Sequence, residues 1–202
     1  MGDHVVVARC GEDLSAPAEA LLSKLEQLHE QGPTLQPGTS VQFGWSRLVL
    51  EADDGELVAC EPDFDGDPFH HSFPEVDRTL RVISEQAGVC QLVGAVGPDA
   101  SFDQTMIVAK GHLAIPRIYL DRRAAEVEWF SGWFLGPFEE EVEPIRDEDQ
   151  LESIYLYELL KLRPAVLSVL NLPTDYVVVF DGSEIELIFD STGTLAWRRG
   201  SS

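Results

Sequence analysis

The chain has 202 residues, of which 44% are hydrophobic, so it can bury a sizeable core and is not expected to be disordered. It carries 14 lysines and arginines against 36 aspartates and glutamates, a formal net charge of -22. A surface this negative repels phosphate backbones and anionic lipid headgroups, which argues against direct nucleic-acid or membrane binding. The same field attracts cationic proteins, so we expect a basic protein partner; an acidic surface that serves solubility alone is the alternative.

The cysteines and the apolar runs indicate a cellular compartment. Cys10, Cys60 and Cys90 are odd in number, widely spaced and without a Cys-x-x-Cys pair, which argues against a disulfide framework or a zinc site. No stretch has the pattern of a secretory signal or the length of a membrane span. We therefore expect a cytoplasmic protein with reduced thiols.

The first quarter of the chain predicts a strand, a helix and a hairpin. Residues 4–8 have strand composition, and a helix is expected to open at Ser15 and to stop at Gly32-Pro33. Its apolar face would be formed by Leu21, Leu22, Leu25 and Leu28. Residues 41–51 and 56–60 alternate with period two around Asp54-Gly55, a dipeptide that tolerates the positive φ of a tight turn.

Residues 61–71 are rich in Asp, Pro and Gly and predict a surface loop. Ser72 and Glu75 then form a capping-box pattern, which predicts a helix that ends at Gly88. Its apolar face would carry Val76, Leu80, Ile83 and Ala87. Residues 89–102 stay unassigned because glycines and a proline interrupt a strand-like composition.

The second half predicts more strands around two helices. Residues 105–109, 115–120 and 127–135 are β-branched and aromatic, as strands are. A helix is predicted after the acidic run 139–149, with a second short helix after Pro164; the first would carry Leu151, Tyr155, Leu159 and Leu162. Residues 176–180 and 184–189 predict a hairpin around Asp181-Gly182, followed by a last strand at 195–197.

The predicted helices and hairpins alternate without βαβ units, which indicates the α+β class. We expect antiparallel hairpins and a sheet, with about four helices packed against it. We expect one α+β domain over residues 1–202. The alternative is two intimately packed halves, about 1–100 and 101–202, because Phe43-Gly44-Trp45 is echoed by Ser131-Gly132-Trp133.

No motif predicts catalysis. Asp63 and Asp65 beside His70 and His71 are the best candidates for a divalent metal, and a metal-dependent enzyme built on them is one alternative function. The spacing does not fit an EF-hand loop, however, and a solvated acidic turn explains the same residues. We therefore expect no catalytic residue and no metal ligand.

Acidic clusters interleaved with aromatic residues remain, and aromatic anchors within a charged rim are common in tight protein interfaces. We predict that the partner-binding residues are Asp53, Asp54, Glu56, Asp63, Asp65, Asp67, Trp133, Phe138, Glu139, Glu140, Glu141, Glu143, Asp147, Glu148 and Asp149. Core packing of the aromatics is the competing interpretation.

The chain resembles a known family through three groups of short motifs, spread over about residues 37–195. The motifs are Phe43-Gly44-Trp45 with Cys60-Glu61-Pro62-Asp63, Ser131-Gly132-Trp133-Phe134, and Tyr157-Glu158-Leu159 through Arg163-Pro164 and Leu172-Pro173 to Tyr176. The family is that of the bacterial immunity proteins of the thirty-third class, which neutralise toxins of polymorphic-toxin and type VI secretion systems. The resemblance implies stoichiometric binding of a cognate toxin without a cofactor.

Charge and resemblance together suggest an acidic surface that docks on the functional face of a basic toxin. A nuclease is one candidate, because its groove must be cationic to hold phosphates. An adaptor of a secretion apparatus is a further alternative. The sequence leaves the oligomeric state open.

Overall fold

The computed structural model describes residues 5–32, 34–138 and 148–200. The chain divides into two compact units, Met1–Ser84 and Glu85–Ser202. In the described residues each unit contains a mixed sheet, of five strands in the first and seven in the second, together with helices. The predicted α+β class is confirmed, whereas the prediction of a single packed domain stays a prediction.

The sheet of the first unit surrounds a central hairpin. Its strands are β1 (Val6–Ala8), β2 (Ser40–Phe43), β3 (Ser46–Asp53), β4 (Glu56–Pro62) and the short β5 (Ser72–Phe73). Their order is β1-β4-β3-β2, with β5 paired to β4. β1 runs parallel to β4, and the other pairs are antiparallel. The predicted turn at Asp54-Gly55 is present, with φ of 47° and 86° at its two residues.

Helix α1 (Ser15–Glu30) covers this sheet as its leucine spacing predicts. Leu21 and Leu25 are fully buried, and they join a core cluster with Leu48 and Leu57 of the sheet. Leu22 is only half-buried, so the apolar face is narrower than predicted.

Two predictions in the first unit are wrong. Residues 41–51 do not form one strand, because Gly44 at φ 54° turns the chain between β2 and β3. The capping box does not begin the next helix: Ser72 belongs to β5, and helix α2 (Asp77–Val93) begins only at Asp77. α2 also continues past Gly88 and stops at Gly94, whose φ is 67°.

The second unit is built on the larger sheet, whose order is β12-β11-β10-β7-β8-β6-β9. Its strands are β6 (Thr105–Ala109), β7 (Arg117–Arg122), β8 (Phe130–Pro137), β9 (Leu151–Tyr155), β10 (Val177–Asp181), β11 (Glu184–Phe189) and β12 (Leu195–Arg198). β6 and β8 are parallel, and the other neighbours are antiparallel. The predicted hairpin of β10 and β11 and the last strand are confirmed.

The helix predicted from Leu151 to Leu162 is wrong in its first half. Residues 151–155 form β9, which pairs with the free edge of β6 and places Ile154 opposite the buried Met106. The chain becomes helical only in a 3-10 turn, Leu156–Glu158, and in α3 (Leu159–Leu162). Edge pairing, which is not local in sequence, overrides the helical spacing of the leucines. After Pro164 the predicted short helix is present as a 3-10 helix, Pro164–Val169.

A buried arginine joins two loops of the second unit. Arg122 is 4% exposed, and its guanidinium donates to the carbonyls of Leu170 (2.9 Å), Leu172 and Pro98 (3.3 Å). The guanidinium also lies 5.6 Å from the ring centre of Trp133. Burial lowers the pKa of Arg122, and its hydrogen bonds to described residues go to backbone carbonyls.

Arg163 repeats this arrangement at another place in the second unit. Its guanidinium donates to the carbonyls of Leu113 (2.9 Å), Ile115 (2.5 Å), Pro116 (2.9 Å) and Gly182 (2.6 Å). Burial also lowers the pKa of Arg163. The burial of neither arginine was predicted, because nothing in the neighbouring residues indicates that a cationic side chain is buried.

Candidate partner-binding surface

A cavity of about 290 Å³ opens in the first unit where β4 ends and α2 begins. Its walls are Glu61, Pro62, Asp63, Phe64, Asp65, Phe73, Glu75, Asp77 and Arg78. We call this cavity the acidic pocket, because carboxylates outnumber the single arginine among these residues.

Glu61 supplies the buried carboxylate of the acidic pocket. It is 4% exposed, and it accepts hydrogen bonds from the backbone N–H groups of Arg78 (3.4 Å) and Thr79 (2.8 Å). It thereby satisfies donors in the first turn of α2, the role that the capping-box pattern predicts for Ser72. Burial nevertheless raises the pKa of Glu61, because desolvation outweighs these hydrogen bonds.

We expect Glu61→Gln to remove part of the pH dependence of stability. A carboxyl whose pKa is raised on folding stabilises the native state most below its unfolded pKa, and this stabilisation is lost as pH rises through the folded pKa. The free energy of unfolding of the wild type, relative to Glu61→Gln, should therefore fall in urea titrations as the pH rises above the ordinary glutamate pKa of about 4.3. The exposed Glu184→Gln is the matched control, and a pH-independent difference for Glu61→Gln would contradict the expectation.

The carboxylates in the loop of residues 63–71 that were predicted to bind a partner mostly form contacts that stabilise the loop. Asp63 accepts from the backbone N–H of Asp65 at 3.2 Å, in an Asx turn. Asp65 forms an ion pair with Arg78, and Asp67 shares a hydrogen bond with Nδ1 of His70 at 2.9 Å. Asp63 and Asp65 line the acidic pocket, whereas Asp67 does not.

The aromatic residues of this loop and of β5 differ in exposure. Phe64 is 2% exposed and stacks on Trp45 with ring centres 5.1 Å apart, so it belongs to the core. Phe69 is 47% exposed, and Phe73 on the pocket wall is 51% exposed. Only the latter two are available to a partner.

The residues proposed for a metal-dependent enzyme do not assemble into a metal site. Across residues 5–32, 34–138 and 148–200, no group of three or more His, Cys, Asp or Glu side chains is placed to hold a metal ion. The three cysteines are free, and burial raises the pKa of each thiol, that of Cys60 to about 11. The thiols are therefore protonated at neutral pH, which does not suit a nucleophile.

The hairpin acids form a second cluster, separate from the acidic pocket. Asp53, Asp54 and Glu56 lie at the β3–β4 turn, and Asp53 pairs with Arg9 at 2.6 Å. The acidic pocket lies at the opposite end of β4, about 20 Å away at about 3.3 Å per residue. The acids predicted in the first unit thus occupy two ends of one strand.

In the second unit the predicted anchor Trp133 is a core residue. Its side chain is 0% exposed, and its indole N–H donates to the carbonyl of Leu170 at 3.1 Å, so its assignment to the binding surface is corrected. Phe138 is half-buried beneath the guanidinium of Arg117, 4.7 Å from its ring centre. Glu148 and Asp149 are exposed in a 3-10 helix. Glu139, Glu140, Glu141, Glu143 and Asp147 lie outside the described residues.

Two exposed aromatic residues of the second unit were missed. Trp129 is 65% exposed and Tyr155 is 40% exposed. Trp129 fell within the predicted strand 127–135, but β8 begins only at Phe130. Tyr155 was assigned to a helix face. The acidic neighbours Glu126 and Glu128 were the available signal, since they are unusual flanks for a buried strand.

No helix in the described part of the chain is long and apolar enough to cross a membrane.

In comparisons with known proteins, the model of a family described as Imm33-like domain matches residues 85–191. No curated protein and no solved structure matches the chain. The matched range is more than half of the chain and lies within the second unit. It contains the motifs around Trp133 and Arg163, but not those around Trp45 and Cys60.

Proposed function

The chain belongs to the Imm33-like family, and from this we propose that it is an immunity protein that neutralises a cognate bacterial toxin by stoichiometric binding. The family match is the observation that carries the proposal. Neutralisation requires no catalysis and no cofactor, because an inhibitor need only occupy the functional face of the toxin. We place this action in the cytoplasm of the cell that is protected.

We propose a basic toxin as the partner, on the strength of the net charge of -22. A nuclease delivered by a type VI secretion system fits this chemistry, since its substrate groove has to be cationic. The acidic field accelerates encounter with such a surface, and it disfavours direct binding to nucleic acid or to anionic membranes. The carboxylates of the acidic pocket and of the β3–β4 turn contribute to this field.

Binding and protection can be tested with the product of the neighbouring gene. We expect this product to co-purify with the chain in a 1:1 complex, and co-expression to restore growth. Because the attraction is electrostatic, the association rate should fall by about tenfold or more between 50 mM and 500 mM salt.

Three outcomes count against the proposal or a part of it. Absence of a complex at 50 mM salt would refute toxin binding. A complex that forms without growth rescue would instead favour the adaptor alternative. If the association rate does not change with salt concentration, the electrostatic mechanism is refuted, while the immunity function is still supported.

A further inference from the structure

One end of the larger sheet exposes apolar side chains that a monomer has no need to expose. Trp129 is 65% exposed, Val127 is 41% exposed, and Tyr155 is 40% exposed. All of residues 123–129, between β7 and β8, are exposed. Exposed apolar groups that lie together, bordered by polar residues, mark interaction sites, whereas single exposed ones need no explanation.

Hydrogen bonds and strand register place the backbones of Trp129, Thr105 and Tyr155 next to one another at this end of the sheet. The backbone N–H of Thr105 donates to the carbonyl of Trp129 at 2.8 Å, and on its other side Thr105 is the register partner of Tyr155. The amide of Gln104 donates to the carbonyl of Glu128, also at 2.8 Å. Two inter-strand spacings therefore separate the backbones of Trp129 and Tyr155, about 10 Å in all. We call Val127, Glu128, Trp129, Tyr155 and Tyr157 the Trp129 patch.

The tyrosine side of the patch is held in place before any partner arrives. The rings of Tyr155 and Tyr157 stack with their centres 5.7 Å apart. The backbone N–H of Tyr155 donates to the carboxylate of Glu158 at 2.7 Å, and that of Tyr157 donates to the carbonyl of Phe102 at 3.1 Å. Rings that are ordered in advance lose little entropy on binding, which favours their use as anchors.

The charges around the patch are mainly negative. Glu126 and Glu128 flank Val127 directly in the exposed segment, and Glu158 borders the tyrosines. Of the nearby cations, Arg123 already forms an ion pair with a neighbouring carboxylate at 2.9 Å, and Lys161 lies three residues beyond Glu158. Aromatic faces next to carboxylates suit a cationic guanidinium or ammonium group, which can contact both.

We propose that the Trp129 patch anchors the cationic toxin of the proposed function, with arginine or lysine side chains of the toxin on its rings and carboxylates. A second copy of the chain is a poor occupant, because each copy carries a net charge of -22. This proposal rests on the proposed function and adds the surface that retains the partner. Long-range charge sets the association rate, whereas buried aromatic anchors set the dissociation rate.

The test is Trp129→Ala, measured by surface plasmon resonance, which gives both rate constants, and by growth rescue with the product of the neighbouring gene. We expect the dissociation constant to rise about 30-fold or more, mainly through faster dissociation. Trp129→Tyr should retain most of the affinity, because it keeps an aromatic face. The melting temperature of both variants should stay within about 2 °C of the wild type, since Trp129 is mostly exposed.

The matched control is Leu195→Ala. Leu195 is 43% exposed in β12, at the opposite edge of the same sheet, and its removal should not change affinity. If the wild type binds and Trp129→Ala binds equally well, the Trp129 patch is refuted and the proposed function stands. If the wild type does not bind at all, the proposed function itself fails. If the wild type is a dimer in sedimentation and Trp129→Ala is a monomer, the occupant is a second copy, and this proposal is overturned.

Discussion

Replacement of Gly132 by alanine is expected to lower the free energy of unfolding by about 3–5 kcal/mol. Gly132 lies in β8 at φ 83°, where an L side chain costs about 1–2 kcal/mol. A Cβ atom built there would lie 2.1 Å from the carbonyl oxygen of Arg123, which is backbone and cannot rotate away. β7 and β8 would have to separate, which adds the cost of disturbed packing around the buried Trp133. Urea unfolding measures the change.

Gly193→Ala separates the two causes of that loss. Gly193 has nearly the same φ, 78°, but no atom lies within 4 Å of a Cβ built on it. Its substitution should therefore cost only the conformational part, about 1–2 kcal/mol. Equal losses at the two glycines would show that the close approach to Arg123 contributes nothing.

The sequence predicts the hairpins well because their turns are local. The first turn forms at Asp54-Gly55 as expected. The second forms one residue later than predicted, at Gly182-Ser183, because Asp181 still pairs with Glu184. The leucine spacing of α1 succeeds for the same reason, since an amphipathic face requires only the residues of the helix itself.

The failed predictions concern elements that distant residues decide. The pattern at Ser72 predicts that its side chain caps the helix. In the structure the carboxylate of Glu61, a residue of β4, accepts the hydrogen bonds of the first turn of α2 instead. Residues 151–155 have helical spacing but become β9, because β6 offers an unpaired edge. In each case the deciding partner is far away in the sequence, so a local pattern could not reveal it.

For the candidate site, the sequence predicts the charge but not the anchors. Trp129 and Trp133 both fall in the segment predicted as one strand, yet the first is 65% exposed and the second is fully buried. A strand that is buried on both faces shows no alternation, so the pattern gives no sign of where it ends. The acidic clusters could be predicted from the composition of the segments that contain them. Their positions at opposite ends of β4 could not, because these depend on the register of the hairpin.

Replacement of Arg122 by methionine should lower the free energy of unfolding by about 3–5 kcal/mol. Methionine fills a similar volume but leaves the carbonyls of Pro98 and Leu172 without the donor that Arg122 supplies, at about 1–3 kcal/mol for each buried acceptor. Relief from burying a cation offsets part of this cost, and loss of the contact with Trp133 adds to it.

Arg122→Lys tests whether charge or geometry matters at this position. An ammonium group keeps the charge but not the planar fork of donors that reaches Pro98 and Leu172 together, so we expect an intermediate loss. The double variant Arg122→Met with Trp133→Phe should lose less than the sum of its single changes, because the two side chains are in contact. If Arg122→Met unfolds at the same urea concentration as the wild type, the carbonyls must find other donors, and the buried cation does not hold these loops together.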